Sequence, residues 1–175
     1  HREYVSPDPL QFLYGYPDIR DREIVGLLAS SLALGRVSSI IGIIESVLSR
    51  LPSPYESLMN YSEKELIQLF DSFKYRFYTR DDLISLLISI KKQIEQYGSL
   101  NGCFLRAYRE EDQTVLPSLD SFVENLGTRS DLKMLSKPSK GSACKRMNLY
   151  LRWMIRSDNI DPGGWSGVAK SKLII

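Results

Sequence analysis

A chain of 175 residues, 43% of them apolar, suits one domain or two small lobes sharing a core, and nothing in it reaches the roughly 18 uninterrupted apolar residues of a membrane span. Its single histidine is at position 1 and its cysteines are Cys103 and Cys144, which argues against a zinc centre, a Ser-His-Asp or Cys-His triad, and a disulfide framework. With those chemistries set aside, any catalysis falls to lysine, carboxylates, hydroxyls or backbone, and no cofactor is expected; the 23 basic and 21 acidic side chains nearly cancel to +2.

Residues 1–20 are rich in proline, aspartate and aromatics and read as an extended arm lying on the domain, because proline restricts itself and the residue before it. Asp21 then opens a helix with Glu23 in its first turn, where a carboxylate suits the helix dipole. Ile24 to Leu34 is apolar nearly all round, so this helix is expected to be buried on several sides until Gly35 ends it. A second apolar helix follows from Val37 to Arg50, stopped by Pro52 and Pro54. Two consecutive buried helices joined at Gly35-Arg36 read as the centre of an all-α core.

Residues 54–72 hold one or two short helices, with Ser62-Glu-Lys-Glu65 as a capping box. In Phe73-Lys-Tyr-Arg-Phe-Tyr-Thr-Arg80 aromatics alternate with bases. Such a pattern can stack nucleobases while its cations hold phosphate. The preferred reading is a connector whose rings pack inward and whose charges face water. Thr79 caps the next helix, which carries Asp81 and Asp82 in its first turn, runs from Arg80 to Tyr97 and stops at Gly98. A short helix with Cys103 covers Ser99 to Tyr108, and another runs from Pro117 to Leu126 up to Gly127. No strand and no repeat is legible. The expected layout is one all-α unit: helical core 21–127, then a basic hairpin and lysine helix over 128–165. The last residues, Lys-Leu-Ile-Ile175, lie inside an apolar run, so the natural protein is expected to continue. No secretory signal is visible, and a reduced, cytoplasmic protein is expected.

Charge is concentrated late in the chain. Residues 129–156 hold eight basic side chains against the single acid Asp131, a net of +7, so the remainder of a chain that totals +2 carries −5. A positive field of that size attracts phosphate. Ser136-Lys-Pro-Ser-Lys-Gly141 reads as a Pro/Gly-punctuated basic hairpin, and Lys140 to Arg156 as the helix it leads into, with Ser142 as N-cap. At about 100° per residue, Lys145, Leu149, Arg152 and Arg156 share one stripe, and Ala143, Met147, Tyr150, Leu151 and Met154 the opposite one.

This arrangement resembles the helix-hairpin-helix DNA glycosylase superfamily. Lys137-Pro-Ser-Lys-Gly-Ser-Ala-Cys-Lys145 stands where that superfamily has its hairpin and lysine helix, although its usual Leu-Pro-Gly-x-Gly hairpin is replaced. Leu27 to Ser39 is similar to the helix-loop-helix from which those enzymes push residues into the DNA stack. Asp8-Pro-Leu10, Leu32-Ala-Leu-Gly-Arg-Val37, Gly141 to Arg156 and Asp161-Pro-Gly-Gly-Trp165 resemble, more closely, an uncharacterised bacterial family distantly related to these glycosylases.

The superfamily resemblance implies a helix-hairpin-helix bundle of two lobes with a cleft, and DNA, or RNA, as partner. It implies Lys145 as the amine that attacks C1′ of a damaged nucleotide and forms a Schiff base, partly desolvated and held neutral by the field of Arg146 and Arg152. Its carboxylate partner is expected past the chain end, as in archaeal 8-oxoguanine glycosylases, with Asp161 as the fallback. Arg36, Lys137, Lys140, Gly141, Ser142, Arg146 and Arg152 are the expected nucleic-acid contacts, and Trp165 the wall of a base pocket, while Trp153 packs. Two other readings fit the same residues. One is a non-catalytic nucleic-acid binder of the same fold, and the other is a protein-interaction module whose basic face meets an acidic partner.

Overall fold

Asp18 caps the first long helix, its carboxylate accepting from the Arg20 N–H at 2.9 Å. In a computed structural model that describes residues 5–127 and 133–174, the chain is all-α apart from one tiny hairpin. The helices are α1 (Ile19–Leu32), α2 (Val37–Ser49), α3 (Pro54–Asn60) and α4 (Glu63–Leu69), then α5 (Arg80–Tyr97), α6 (Leu100–Leu105), α7 (Leu116–Leu126) and α8 (Lys145–Ile155). Among the described residues no helix is long and apolar enough to cross a membrane.

Several boundaries follow from local chemistry. Ser62 and Glu65 close a reciprocal capping box on α4, and Thr79 and Asp82 close another on α5. Gly98 ends α5 at φ 81°, a left-handed position that glycine takes without steric cost. The arm before residue 20 is more structured than expected. Pro9–Gly15 forms a 3-10 helix capped by Asp8, and it buries Leu10 and Leu13 against α1, so apolar burial overrides the extended bias of the prolines. The aromatic-basic segment packs Tyr75 and Tyr78 inward as expected, but it does so as strands, which were not expected. Its period of two makes a pair of short antiparallel strands, β1 (Lys74–Tyr75) and β2 (Tyr78–Thr79), which turn Tyr75 and Tyr78 inward and Lys74 and Thr79 outward.

The helix α1 is the axis of the core. Every residue from Glu23 to Leu32 is buried. It packs on α8, where Gly26 faces the Tyr150 ring so closely that an added Cβ would meet it at 3.1 Å. Buried apolar side chains from Leu10 to Trp165 form one continuous cluster.

Glu23 carries a carboxyl group into that core. It is 1% exposed, and its carboxylate accepts from the N–H groups of Leu100 and Asn101 at the start of α6 and from Trp165 Nε1. Burial pushes its carboxyl above the ordinary value of 4.5, and the three donors pull it back in part. The native state therefore holds that proton more tightly than the unfolded chain does. The resulting stability is present in full below pH 4.5 and is lost as pH rises through the folded value. Asp158 has the opposite sign. The N–H groups of Asp161 and Ile160, with the Arg156 guanidinium, hold it at about 2, so its contribution is present above 3.8 and is lost as pH falls through about 2. Urea unfolding from pH 4 to 7 is expected to show stability declining toward neutrality, and Glu23→Gln is expected to flatten that decline. An unchanged slope in the variant would overturn the assignment.

Candidate active site

The site is built on α8 and the turns before it. Pro138–Lys140 is a short 3-10 turn, closed by Gly141 at φ 75° with its N–H donating to the Pro138 carbonyl. Asp120 of α7 holds this turn, accepting from the Ser139 N–H at 2.8 Å and sitting 3.6 Å from Lys137 Nζ. Glu124 lies 3.5 Å from the same amine. The hairpin amides expected to cradle phosphate thus have partners within the protein: Ser139 on Asp120, Lys140 on Lys137, Gly141 on Pro138. Of the expected contacts here, Lys137 is neutralised by α7, while Lys140, Gly141 and Ser142 are exposed.

Ser142 is not the N-cap of α8. The helix starts three residues later, after Cys144 in the left-handed region at φ 48°, with no side-chain cap. Ser142 Oγ accepts from the Cys144 N–H at 3.1 Å, and Asn148 Nδ2 reaches back to the Ala143 carbonyl, so this turn is closed by side chains the N-cap reading did not include. The first-turn N–H groups of α8 are left without a side-chain acceptor.

Ala143, Lys145, Asn148, Leu149, Arg152 and Ile174 line a cleft of about 450 Å³. Residues 145, 149 and 152 are the stripe read from helical period. Asn148 was missed in the sequence, although it lies on the same stripe as a polar residue. It is 8% exposed and its Oδ1 has no partner among the described residues. Lys145 is exposed, and its amine makes no hydrogen bond or ion pair to any described residue. It is therefore not the desolvated lysine expected. The arginines meant to provide its field are engaged by other partners. Arg146 Nη1 donates to the Ser31 carbonyl at 2.6 Å and to Tyr78 Oη at 2.7 Å, joining α8 to the end of α1 and to β2. Arg152 Nε donates to Asp161 Oδ2 at 3.0 Å.

Asp161 is fully buried, its Oδ2 shared between Arg152 and Arg156, whose Nε lies 3.3 Å away. It does not line the Lys145 cleft. Lys145 and Arg152 are about 10 Å apart along the helix axis at ~1.5 Å per residue. The fallback pairing of Asp161 with Lys145 is therefore replaced by an arginine clamp. Asp161→Asn is expected to cost about 1–3 kcal/mol in urea unfolding. That is less than for a fully buried pair, because both guanidinium side chains are 33% exposed and stay partly solvated. A change under about 0.5 kcal/mol would show that the clamp does not hold the 158–165 loop.

Trp165 does not wall a base pocket. Its indole is 7% exposed, donates to Glu23 at 2.9 Å and packs among Phe104, Phe122 and Tyr150, with ring centroids 5.3–6.0 Å away. Trp153 is buried, as expected. Burial pushes the Cys103 thiol up to about 12, which removes it as a nucleophile. Arg36 stands exposed at the start of α2. Arg129 and Asp131, part of the basic segment, and the terminal Ile175 lie outside the described residues.

The family described as "Protein of unknown function (DUF2400)" matches residues 8–175. No curated protein matches the chain, and no solved structure does.

Proposed function

The chain belongs to the DUF2400 family over residues 8–175, and we propose that it binds DNA, or RNA, through α7, the Pro138–Lys140 turn and α8, with Lys145 as an imine-forming nucleophile at a damaged or abasic sugar. The fold that goes with this reading is a helix-hairpin-helix, glycosylase-like bundle whose cleft runs along α8. The observation that carries it is the Lys145 amine, without a partner among the described residues, at a cleft beside an uncapped helix start. Unsatisfied first-turn N–H groups favour a phosphate there. A phosphodiester so held would set the neighbouring sugar near Lys145. The amine lone pair attacks C1′; the base leaves from an intact nucleotide, or water from an abasic aldehyde, giving the imine. Loss of a C2′ proton then expels the 3′ phosphate by β-elimination.

A second reading keeps the binding and drops the chemistry. It is favoured by the absence of a carboxylate among the residues lining the cleft, and by the capture of Asp161 by two arginines. Borohydride treatment with an abasic-site duplex and an 8-oxoguanine duplex separates the two. An adduct that maps to the peptide bearing Lys145 supports the lyase. Salt-dependent binding without adduct leaves the binder. No binding at low salt would overturn both.

A further inference from the structure

Outside the lysine cleft, the least expected surface feature is the tip of the β1–β2 hairpin. Tyr75 pairs with Tyr78, so Arg76 and Phe77 form a two-residue turn. Arg76 has φ 52°, a conformation in which glycine or asparagine meets less strain. Phe77 is 63% exposed, the most exposed of the large apolar side chains among the described residues. Strain and apolar exposure at one turn are both features that a polar, glycine-bearing tip would relieve, and paired costs of this kind point to a use.

The tip is braced by the α1–α2 loop and, through Tyr78, by α8. Arg76 Nε donates to the Leu34 carbonyl at 3.1 Å, and its guanidinium lies against Gly35 in the α1–α2 loop. Tyr75 Oη donates to the same carbonyl at 2.7 Å. The Phe77 ring stands edge-on to Tyr78, with centroids 4.9 Å apart, and Tyr78 Oη receives Arg146 of α8. The exposed ring is thus tied to the residue next to Lys145.

The charge around it is positive once internal pairs are removed. Arg80 is taken by Asp71 and Asp81, and Asp82 is taken by the Thr79 cap. Lys74, Arg76 and Arg36 remain without an acidic partner among the described residues, on the strand, the turn and the adjoining loop.

We propose that Phe77 is a stacking residue: its ring takes the face of an unpaired nucleobase while Arg36, Lys74 and Arg76 hold the flanking phosphates. This rests on the nucleic-acid reading of the α8 site and adds to it a preference for strands with an unstacked base. Aromatic side chains among cations bind bases in this way regardless of sequence, because every base offers a π face.

The test uses the whole protein and a duplex carrying one bulged 2-aminopurine, followed by fluorescence anisotropy and by 2-aminopurine emission. Phe77→Ala is expected to weaken binding to the bulged duplex roughly 5- to 100-fold, with an unchanged salt slope. Phe77→Trp is expected to keep the affinity and to quench 2-aminopurine emission. Because Phe77 is mostly exposed, both variants should melt as the wild type does. Wild-type affinity in Phe77→Ala, with binding otherwise intact, overturns this proposal alone. No binding of any duplex by the wild type overturns it together with the reading on which it rests, and would leave the tip to a protein partner.

Discussion

Glu23→Ala is expected to destabilise the protein by roughly 4 kcal/mol and to lower its thermal midpoint by about 8–16 °C. The carboxylate serves three donors that have no other acceptor among the described residues: the Leu100 and Asn101 N–H groups and the Trp165 indole N–H. Each is left unsatisfied in the variant at about 1–3 kcal/mol, partly offset because the cost of burying the carboxylate also disappears. Against a total of about 5–15 kcal/mol, that loss is a large fraction of the stability. Two comparisons isolate the cause. Glu23→Gln keeps the shape but turns one acceptor into a donor, so it should fall between wild type and alanine. Trp165→Phe removes one of the three donors and keeps a ring in the aromatic cluster, and is expected to cost only about 1 kcal/mol. Thermal and urea unfolding of the three variants check the ranking. Glu23→Ala within about 1 kcal/mol of wild type would mean that the carboxylate does not hold α6 and the 161–165 loop onto α1.

Lys145→Gln is expected to leave no borohydride adduct on an abasic duplex, a fall of at least about 10³-fold, while duplex binding survives. Glutamine has no amine lone pair, so the imine cannot form. The lost cation removes at most one phosphate contact, so the salt slope should drop by about 1. Lys145→Arg sharpens the test. It keeps the charge and should keep the slope, yet a guanidinium does not form the imine, so the adduct should still vanish. An adduct of undiminished yield in either variant would place the nucleophile elsewhere. Loss of binding in Lys145→Arg would make the residue a structural or recognition element instead.

Glu23 and Lys145 also illustrate which features can be read from sequence. The stripe of Lys145, Leu149 and Arg152 follows from helical period alone, and these three side chains do share one cleft. Glu23 reads as a first-turn carboxylate of α1. In the fold it serves the first turn of α6 instead, 77 residues away. Asp161 has a spacing that suits a catalytic partner, and two arginines, Arg152 on the last turn of α8 and Arg156 just past its end, take it. Trp165 lies on a glycine-flanked loop, which suggests exposure, but its N–H finds Glu23 inside the core.

What the sequence determined by itself is what neighbours within a few residues decide. The caps at Ser62, Thr79 and Gly98, the all-round burial of α1 and the helical class of the chain depend on local hydrogen bonds, φ preferences and apolar period, all printed in the residues themselves. The tertiary structure alone decided the partners of the charged and aromatic side chains. It gave Glu23 to α6 and the indole, Asp161 to the arginines and Arg146 to Ser31 and Tyr78, and it left Phe77 in water. The reason is that a buried polar group must be paired, and the nearest available partner depends on which helices pack together, not on its place in the chain.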